Sequence, residues 1–358
     1  MLDKASMAYE NDDDFAVGLP NTTFEPFIPD PVINALRTSF LPCMYTIICF
    51  FGLVGNSMVL VVFIFYEKLK SLTDVFLVNL AIADILFLFT LPFLAYSASH
   101  GWVFGLIMCK VIFGMYNINL YTSMLTLTCI TVDRFIAVAQ ATKARRLQEK
   151  IRLCGIVTCF VVWAISILFS IPQFKFHKLF EYDGMLWCLA DYEPYHVGQV
   201  VRGFQMTAGF FLPLSIMIIC YSVIIKTIIH ARGLDKQKSL KIIIVIVAVF
   251  IATQLPYNII MLMSIIEGEF HLNHHFERAV IITETLAYVH ACLNPILYFF
   301  VGAKFRKTLR KIVKEARCFK HQREVSSQFK SSDDPSKTFS ASNNIDATSM
   351  IRMSQVHS

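Results

Sequence analysis

Residues 121–140 read YTSMLTLTCITVDRFIAVAQ. The run is apolar as far as Val132, meets Asp133 and Arg134 abruptly, and turns apolar again beyond them. A soluble helix would spread its charges along one face as an amphipathic stripe. Here a charged pair closes a segment otherwise fit for lipid. Ionisable groups at the rim of a membrane span are costly to bury and so point to function. The plainer alternative is a solvated span end with a snorkelling arginine.

Composition agrees with a membrane setting. Of 358 residues, 56% are hydrophobic and only 16% charged, against ~25% charged in an ordinary soluble domain. Mean hydropathy is +0.57. Seven apolar runs stand at about 41–66, 75–98, 106–138, 152–173, 198–230, 240–266 and 277–300. Each is near the ~20 residues that cross a ~30 Å hydrocarbon core. Only helices and closed barrels satisfy their own backbone in lipid, and alternating ten-residue strands are missing here. The expected fold is an all-α membrane protein, a seven-helix bundle over 41–300.

Lysine and arginine set its orientation. The loop after the first run holds Lys68 and Lys70, and the loop after the third holds Lys143, Arg145 and Arg146. Arg232, Lys236 and Lys238 follow the fifth run, and Lys304, Arg306, Lys307 and Arg310 follow the seventh. The opposite loops are poor in both residue types. The N-terminus is therefore expected outside and the C-terminus in the cytoplasm, and the net charge of +6 faces anionic inner-leaflet lipid rather than nucleic acid.

Residues 1–40 read as an acidic extracellular tail. No apolar stretch follows a basic start, so no cleavable signal peptide is expected. Tyr9 precedes Asp12, Asp13 and Asp14. That strip is either a plain solvated tail or a dock for a basic partner, with a sulfated tyrosine. Asn21 begins an Asn-Thr-Thr glycosylation acceptor. Past the bundle, 301–318 reads as an amphipathic interfacial helix with Phe305, Leu309, Ile312 and Val313 on one face. Cys318 beside it is a free thiol or a palmitoylation site. Residues 319–358 read as a disordered cytoplasmic tail whose serines and threonines would accept phosphate.

Polar residues interrupt the runs: Asn56, Asp84, Asn119, Ser123, His290 and Asn294. Together they would form a mid-membrane pocket with the oxygen donors that suit a hard cation such as sodium. The alternative is interhelical hydrogen-bond glue, which a lone Asn fits and a buried Asp84 does not. Pro92, Pro172, Pro213, Pro256 and Pro295 fall inside runs and would kink them. Cys109 opens the third run and Cys188 lies in the second outer loop; a bridge between them would tie that loop over the bundle mouth. The other cysteines sit mostly within apolar runs and behave as small hydrophobes, and no CxxC pair supports a metal site. No HExxH, GxSxG or P-loop occurs, which argues against an enzyme and a resident cofactor. Inverted repeats, the mark of many transporters, are not evident.

Asp133-Arg134-Phe135 combined with Asn294-Pro295-Ile296-Leu297-Tyr298 resembles the rhodopsin-type G-protein-coupled receptors, as do Asn56, Asp84, Trp163, Pro213, Tyr221 and Pro256. The resemblance covers about 41–315. An opsin would carry a Schiff-base lysine where Tyr288 stands, and an amine receptor an aspartate where Tyr116 stands. Thr90-Leu91-Pro92, Trp102-Val103-Phe104-Gly105, Asn119 and Glu284 are similar to the chemokine receptors. Phe135 in place of Tyr, Gln254 in place of Trp, and the absence of cysteine from 1–42 and 267–278 are similar to their C-X-C branch. The family's second outer disulfide is thus missing, which implies a less tethered N-terminal tail.

The resemblance implies a cell-surface receptor for a C-X-C chemokine that activates an inhibitory-class G protein in leukocyte chemotaxis or adhesion. Glu284 would pair with a ligand cation, Tyr116 and Trp102 would line the mouth, and the Tyr9–Asp14 strip would meet the ligand first. Asp133, Arg134, Phe135, Tyr221, Gln254, Pro256, Asn294, Pro295 and Tyr298 would carry activation. Arrestin, membrane lipid and a second receptor copy are further expected partners. A non-signalling chemokine scavenger or a receptor for another peptide are the alternatives.

Overall fold

The computed structural model describes residues 30–139, 148–182, 184–230, 234–267, 274–301 and 305–315. Tyr9, Asp12, Asp13, Asp14, Asn21, Lys143, Arg145, Arg146, Arg232, Lys304, Cys318 and the tail serines and threonines lie outside them.

Among the described residues there are seven long helices: α1 (Pro31–Tyr66), α2 (Leu72–His100), α3 (Gly105–Ala139), α4 (Gln148–Phe176), α5, α6 (Leu234–Glu267) and α7 (His274–Val301). The fifth runs from Tyr195–Met206 through a wide turn at Thr207–Phe211 into Leu212–His230. Similar wide turns occur in α1 at Leu36–Phe40 and Val62–Tyr66. Among the described residues, six of the seven are long and apolar enough to cross a membrane. The remaining one, α3, carries Asn117, Asn119, Thr122, Ser123 and Thr126, all buried. It can be more polar because it packs against α2, α4, α5 and α6 and meets little lipid.

The first helix begins at Pro31, ahead of the expected residue 41. Asp30 accepts from the Val32 N–H and Pro31 sits in the first turn, where its missing donor costs nothing. Residues 31–40 therefore belong to the bundle and not to the tail. Ser71 and Asp74 start α2 by exchanging side chain-to-backbone bonds of 3.1 Å each, a capping box. Hydroxyls within the spans find acceptors on their own helix: Thr128, Thr131, Ser166, Ser170 and Thr285 each donate to the carbonyl four residues back.

Two proline kinks are satisfied by neighbouring helices. Pro92 cannot bond the Leu88 carbonyl, and Cys49 Sγ on α1 donates to that oxygen at 3.4 Å. Pro295 likewise frees the Ala291 carbonyl, which accepts from Asn56 Nδ2 at 2.8 Å. Close approach makes this geometry available. A Cβ on Gly55 would lie 2.8 Å from the Pro295 ring. The ring cannot give way, so Gly55→Val is expected to push α1 off α7 and cost about 1–3 kcal/mol. A lower melting temperature of the purified protein checks this.

Two short strands follow α4: β1 (His177–Tyr182) and β2 (Met185–Ala190), antiparallel with His177 opposite Ala190. Cys109 and Cys188 are disulfide-bonded, so the hairpin is fastened to the start of α3. The Trp102 N–H also donates to the Leu186 carbonyl at 2.6 Å. Residues 305–315 are helical. Within the bundle unit, buried Phe305 stacks on Phe63, and Thr308 donates to Glu67 at 2.6 Å. The separate unit from Leu309 onward contains the helical residues 309–315, with Lys311 and Glu315 paired one turn apart.

Candidate functional site

Three polar constellations lie along the bundle. The first surrounds a cavity of about 190 Å³ at the disulfide end. Arg37, Trp102, His177, Trp187, Glu277 and Glu284 are among its walls. Glu284 accepts from the Tyr288 hydroxyl at 3.0 Å. Trp102 is 2% exposed and its indole donates to the Gly105 carbonyl at 2.9 Å. Tyr116 is not in the wall: it lies beneath, packed on Phe87 and Tyr288. An apolar basin floored by aromatic rings and edged by carboxylates suits a cationic, partly apolar group.

His177 sits just past the end of α4, buried, stacked on Phe113 with ring centroids 4.6 Å apart. Its Nδ1 bonds the Gln173 carbonyl at 2.9 Å. Burial drives its pKa from 6.5 down to about 4, against the opposing effect of that bond. The unfolded chain takes up a proton near ~6.5 while the folded one resists it. Stability is therefore complete above that value and is lost as pH falls through the window toward 4. The melting temperature is expected to drop between pH 7 and pH 5, and His177→Phe to flatten that dependence.

The second constellation centres on Asp84, fully buried on α2. Its Oδ1 accepts from Asn119 Nδ2 at 3.0 Å and its Oδ2 from Asn294 Nδ2 at 2.9 Å. His290 Nε2 stands 3.9 Å from Oδ1. Ser123, one helical turn beyond Asn119 on the same face, has an Oγ without a partner among the described residues, as do Asn119 Oδ1 and the Tyr298 hydroxyl. A carboxylate with unpaired buried oxygens nearby has the donor chemistry that a hard cation requires. Asn56 spends its amide N–H groups on the Gly52 and Ala291 carbonyls, and its Oδ1 is buried without a partner among the described residues.

Gln254 joins this constellation to α6. It is fully buried, and its Nε2 lies 3.2 Å from the Ala287 carbonyl and 3.1 Å from His290 Nδ1. Phe250 meets the His290 ring edge-on at 5.1 Å. The position thus holds α6 to α7 by hydrogen bonds. Two residues further along, toward the disulfide end, Pro256 interrupts the same helix.

The third constellation lies at the opposite end. Arg134 Nε and a terminal nitrogen donate to Asp133 Oδ2 at 3.1 and 2.6 Å, and that nitrogen also donates to Thr73 Oγ1 at 2.5 Å. The Tyr221 hydroxyl is engaged by Thr131 at 3.2 Å. Tyr298 is 3% exposed and packs edge-on toward Phe305. Phe135 is half-buried. Arg134 is thus turned back onto its neighbour and onto α2.

Several partners here had no sequence signal. Thr73 is an unremarkable hydroxyl in the sequence, and Asn79 bridges Trp163 and Thr126 at 2.8 and 2.9 Å across α4, α2 and α3.

Residues 55–298 match the family described as 7 transmembrane receptor (rhodopsin family). The chain is 38% identical over 333 residues to the human C-C chemokine receptor type 6, covering 88% of this chain and 89% of that protein. It is 41% identical over 299 residues to C-C chemokine receptor type 7 of Bos taurus, covering 81% and 79%. The chain belongs to the chemokine receptors of the rhodopsin family. A receptor of this family is a multi-pass plasma-membrane protein and not an enzyme. Both of these relatives bear C-C names.

Proposed function

We propose that this receptor faces outward with its disulfide end, binds a C-X-C chemokine there, and activates an inhibitory-class G protein at the Arg134 end. The observation that carries this reading is the pairing, in one bundle, of a carboxylate-edged cavity with a cation held back at the far end. The sequence resemblance to C-X-C chemokine receptor type 6, in Gln254, Phe135 and the tail KTFSAS, supports the branch. The C-C names of the relatives favour a C-C chemokine as the second reading.

A basic chemokine would first meet Tyr9, Asp12, Asp13 and Asp14, where charge complementarity raises the on-rate. Its N-terminus would then reach Glu284. Only a ligand that binds the active arrangement more tightly shifts the equilibrium. In that arrangement Arg134 leaves Asp133 for Tyr221, Tyr298 swings inward, and the end of α6 moves out to admit the G protein. Gln254 replaces the bulky packing of a Trp, so the motion of α6 breaks its hydrogen bonds to Ala287 and His290. Arrestin would follow phosphorylation of the tail, and Asn21 and Cys318 would carry glycan and lipid. Leukocyte chemotaxis or adhesion is the cellular outcome, with dimerisation and lipid contact as further interactions.

Asp84, Asn119, Ser123 and Asn294 would hold a sodium ion. When bound, it supplies positive charge beside a carboxylate that otherwise has only amide donors. Asp84→Asn is expected to make agonist affinity the same in sodium and in potassium medium, whereas the native protein binds agonist less tightly in sodium. Equal dependence in both proteins would remove the ion from the account.

The test of the whole reading is a panel of C-X-C and C-C chemokines applied to cells bearing the receptor. A C-X-C ligand should bind and stimulate nucleotide exchange. Binding by C-C members alone would reverse the branch. Binding without exchange would indicate a scavenger.

A further inference from the structure

Two ion pairs connect the beginning of α1 to the beginning of α7. Asp30 pairs with Arg278, and Arg37 pairs with Glu277. The partners lie 248 and 240 residues apart in sequence. Neither pair is loose on the surface. The Asp30 side chain is 7% exposed and also caps α1 through the Val32 N–H. Burial by itself raises the Asp30 pKa, but donation by Arg278 and by the first backbone N–H groups of α1 outweighs it and holds the carboxyl below its ordinary range. Arg37 and Glu277 are each about three-quarters buried, and the Arg37 guanidinium lies 5.6 Å from the Trp187 ring centroid on β2. Both members of that pair are in the wall of the cavity that contains Glu284.

Charge pairs with this degree of burial depend on both partners. Removing one leaves a charge without its counterpart in a partly desolvated place. The two pairs also share a register: Asp30 and Arg37 lie about two turns apart on α1, and Glu277 and Arg278 are adjacent on α7. They therefore resist both separation and sliding of the two helix starts. No cysteine lies within residues 1–42 or 267–278 to do this covalently.

We propose that Asp30–Arg278 and Arg37–Glu277 form an ionic clasp that fixes the start of α1 against α7 at the rim of the Glu284 cavity and so sets the point from which the ligand-binding N-terminal segment leaves the bundle. The four are positioning residues: they act by holding the chain at Asp30, where the acidic segment joins the bundle, and by closing the cavity rim between α1 and α7. This proposal rests on the chemokine reading for its effect on affinity, but not for the clasp itself.

The experiment is a pair of charge-reversal cycles on the full-length receptor: Asp30→Arg, Arg278→Asp and both together, and Arg37→Glu, Glu277→Arg and both together. The probe is the tightest labelled chemokine from the panel above, with surface expression measured in parallel. Each single reversal is expected to weaken binding about tenfold at unchanged surface level, and each double reversal to restore it to within about threefold. Singles that bind as the native receptor does, or doubles no better than the singles, would overturn the proposal. Where reversals reduce expression, Asp30→Cys with Arg278→Cys is compared with Asp30→Ser with Arg278→Ser. The covalent pair should bind like the native receptor and the serine pair about tenfold more weakly; equal affinities would overturn the clasp. If no chemokine binds the native receptor, the ligand reading fails. Coupling between the paired reversals in melting temperature then still decides the clasp: non-additive shifts support it and additive shifts overturn it.

Discussion

Arg134→Ala is expected to reduce agonist-stimulated nucleotide exchange to the agonist-free rate while leaving chemokine affinity nearly unchanged. Arg134 is far from the cavity and donates only to Asp133 and Thr73 among the described residues. Its removal breaks a pair that is about three-quarters buried and leaves Asp133 without that counterpart, so surface expression is measured alongside. On the proposed mechanism it removes the cation that would reach Tyr221 and the G protein in the active arrangement. Asp133→Asn gives the opposite sign by weakening the hold on Arg134, so basal exchange should rise. A latch requires both results. Loss of exchange in both variants would mean that the pair is structural and that the gate lies elsewhere.

Glu284→Gln is expected to reduce chemokine potency by roughly 10–100-fold, the loss of a charge-assisted bond worth about 1.5–3 kcal/mol. The substitution is nearly isosteric, and the amide oxygen can still accept from Tyr288. The tyrosine cluster of Tyr45, Tyr116 and Tyr288 should therefore remain packed and surface expression unchanged. A dose–response curve superimposed on that of the native receptor would make Glu284 a structural residue with no part in ligand binding.

The seven runs were readable because lipid imposes a long apolar period that few other settings require. The third was the least apolar, and the structure gives the reason: α3 is walled in by other helices and can carry Asn117, Asn119 and Ser123. The start of α1 was read ten residues late. Residues 31–40 have tail-like polarity, and the signal that mattered was the cap formed by Asp30 and Pro31. The hairpin at 177–190 carries no strand signal in the sequence, since six-residue strands held by a disulfide need little local propensity. Asn119, Asn294 and His290 do lie beside Asp84, whereas the bond from Asn56 to the Ala291 carbonyl depends on which helix packs against Pro295, which no local pattern shows. Long-range partners such as Asp30 with Arg278 leave no local pattern. The join by charge between the starts of α1 and α7 therefore has no counterpart in a reading of the sequence.

The central claim is that this bundle transmits the binding of a chemokine to a G protein. The direct measurement is nucleotide exchange on purified inhibitory-class G protein, with the native receptor in lipid nanodiscs and the tightest chemokine from the panel. The account predicts exchange that accelerates with chemokine concentration and is abolished by Arg134→Ala. Saturable chemokine binding with exchange unchanged from the ligand-free rate would contradict it.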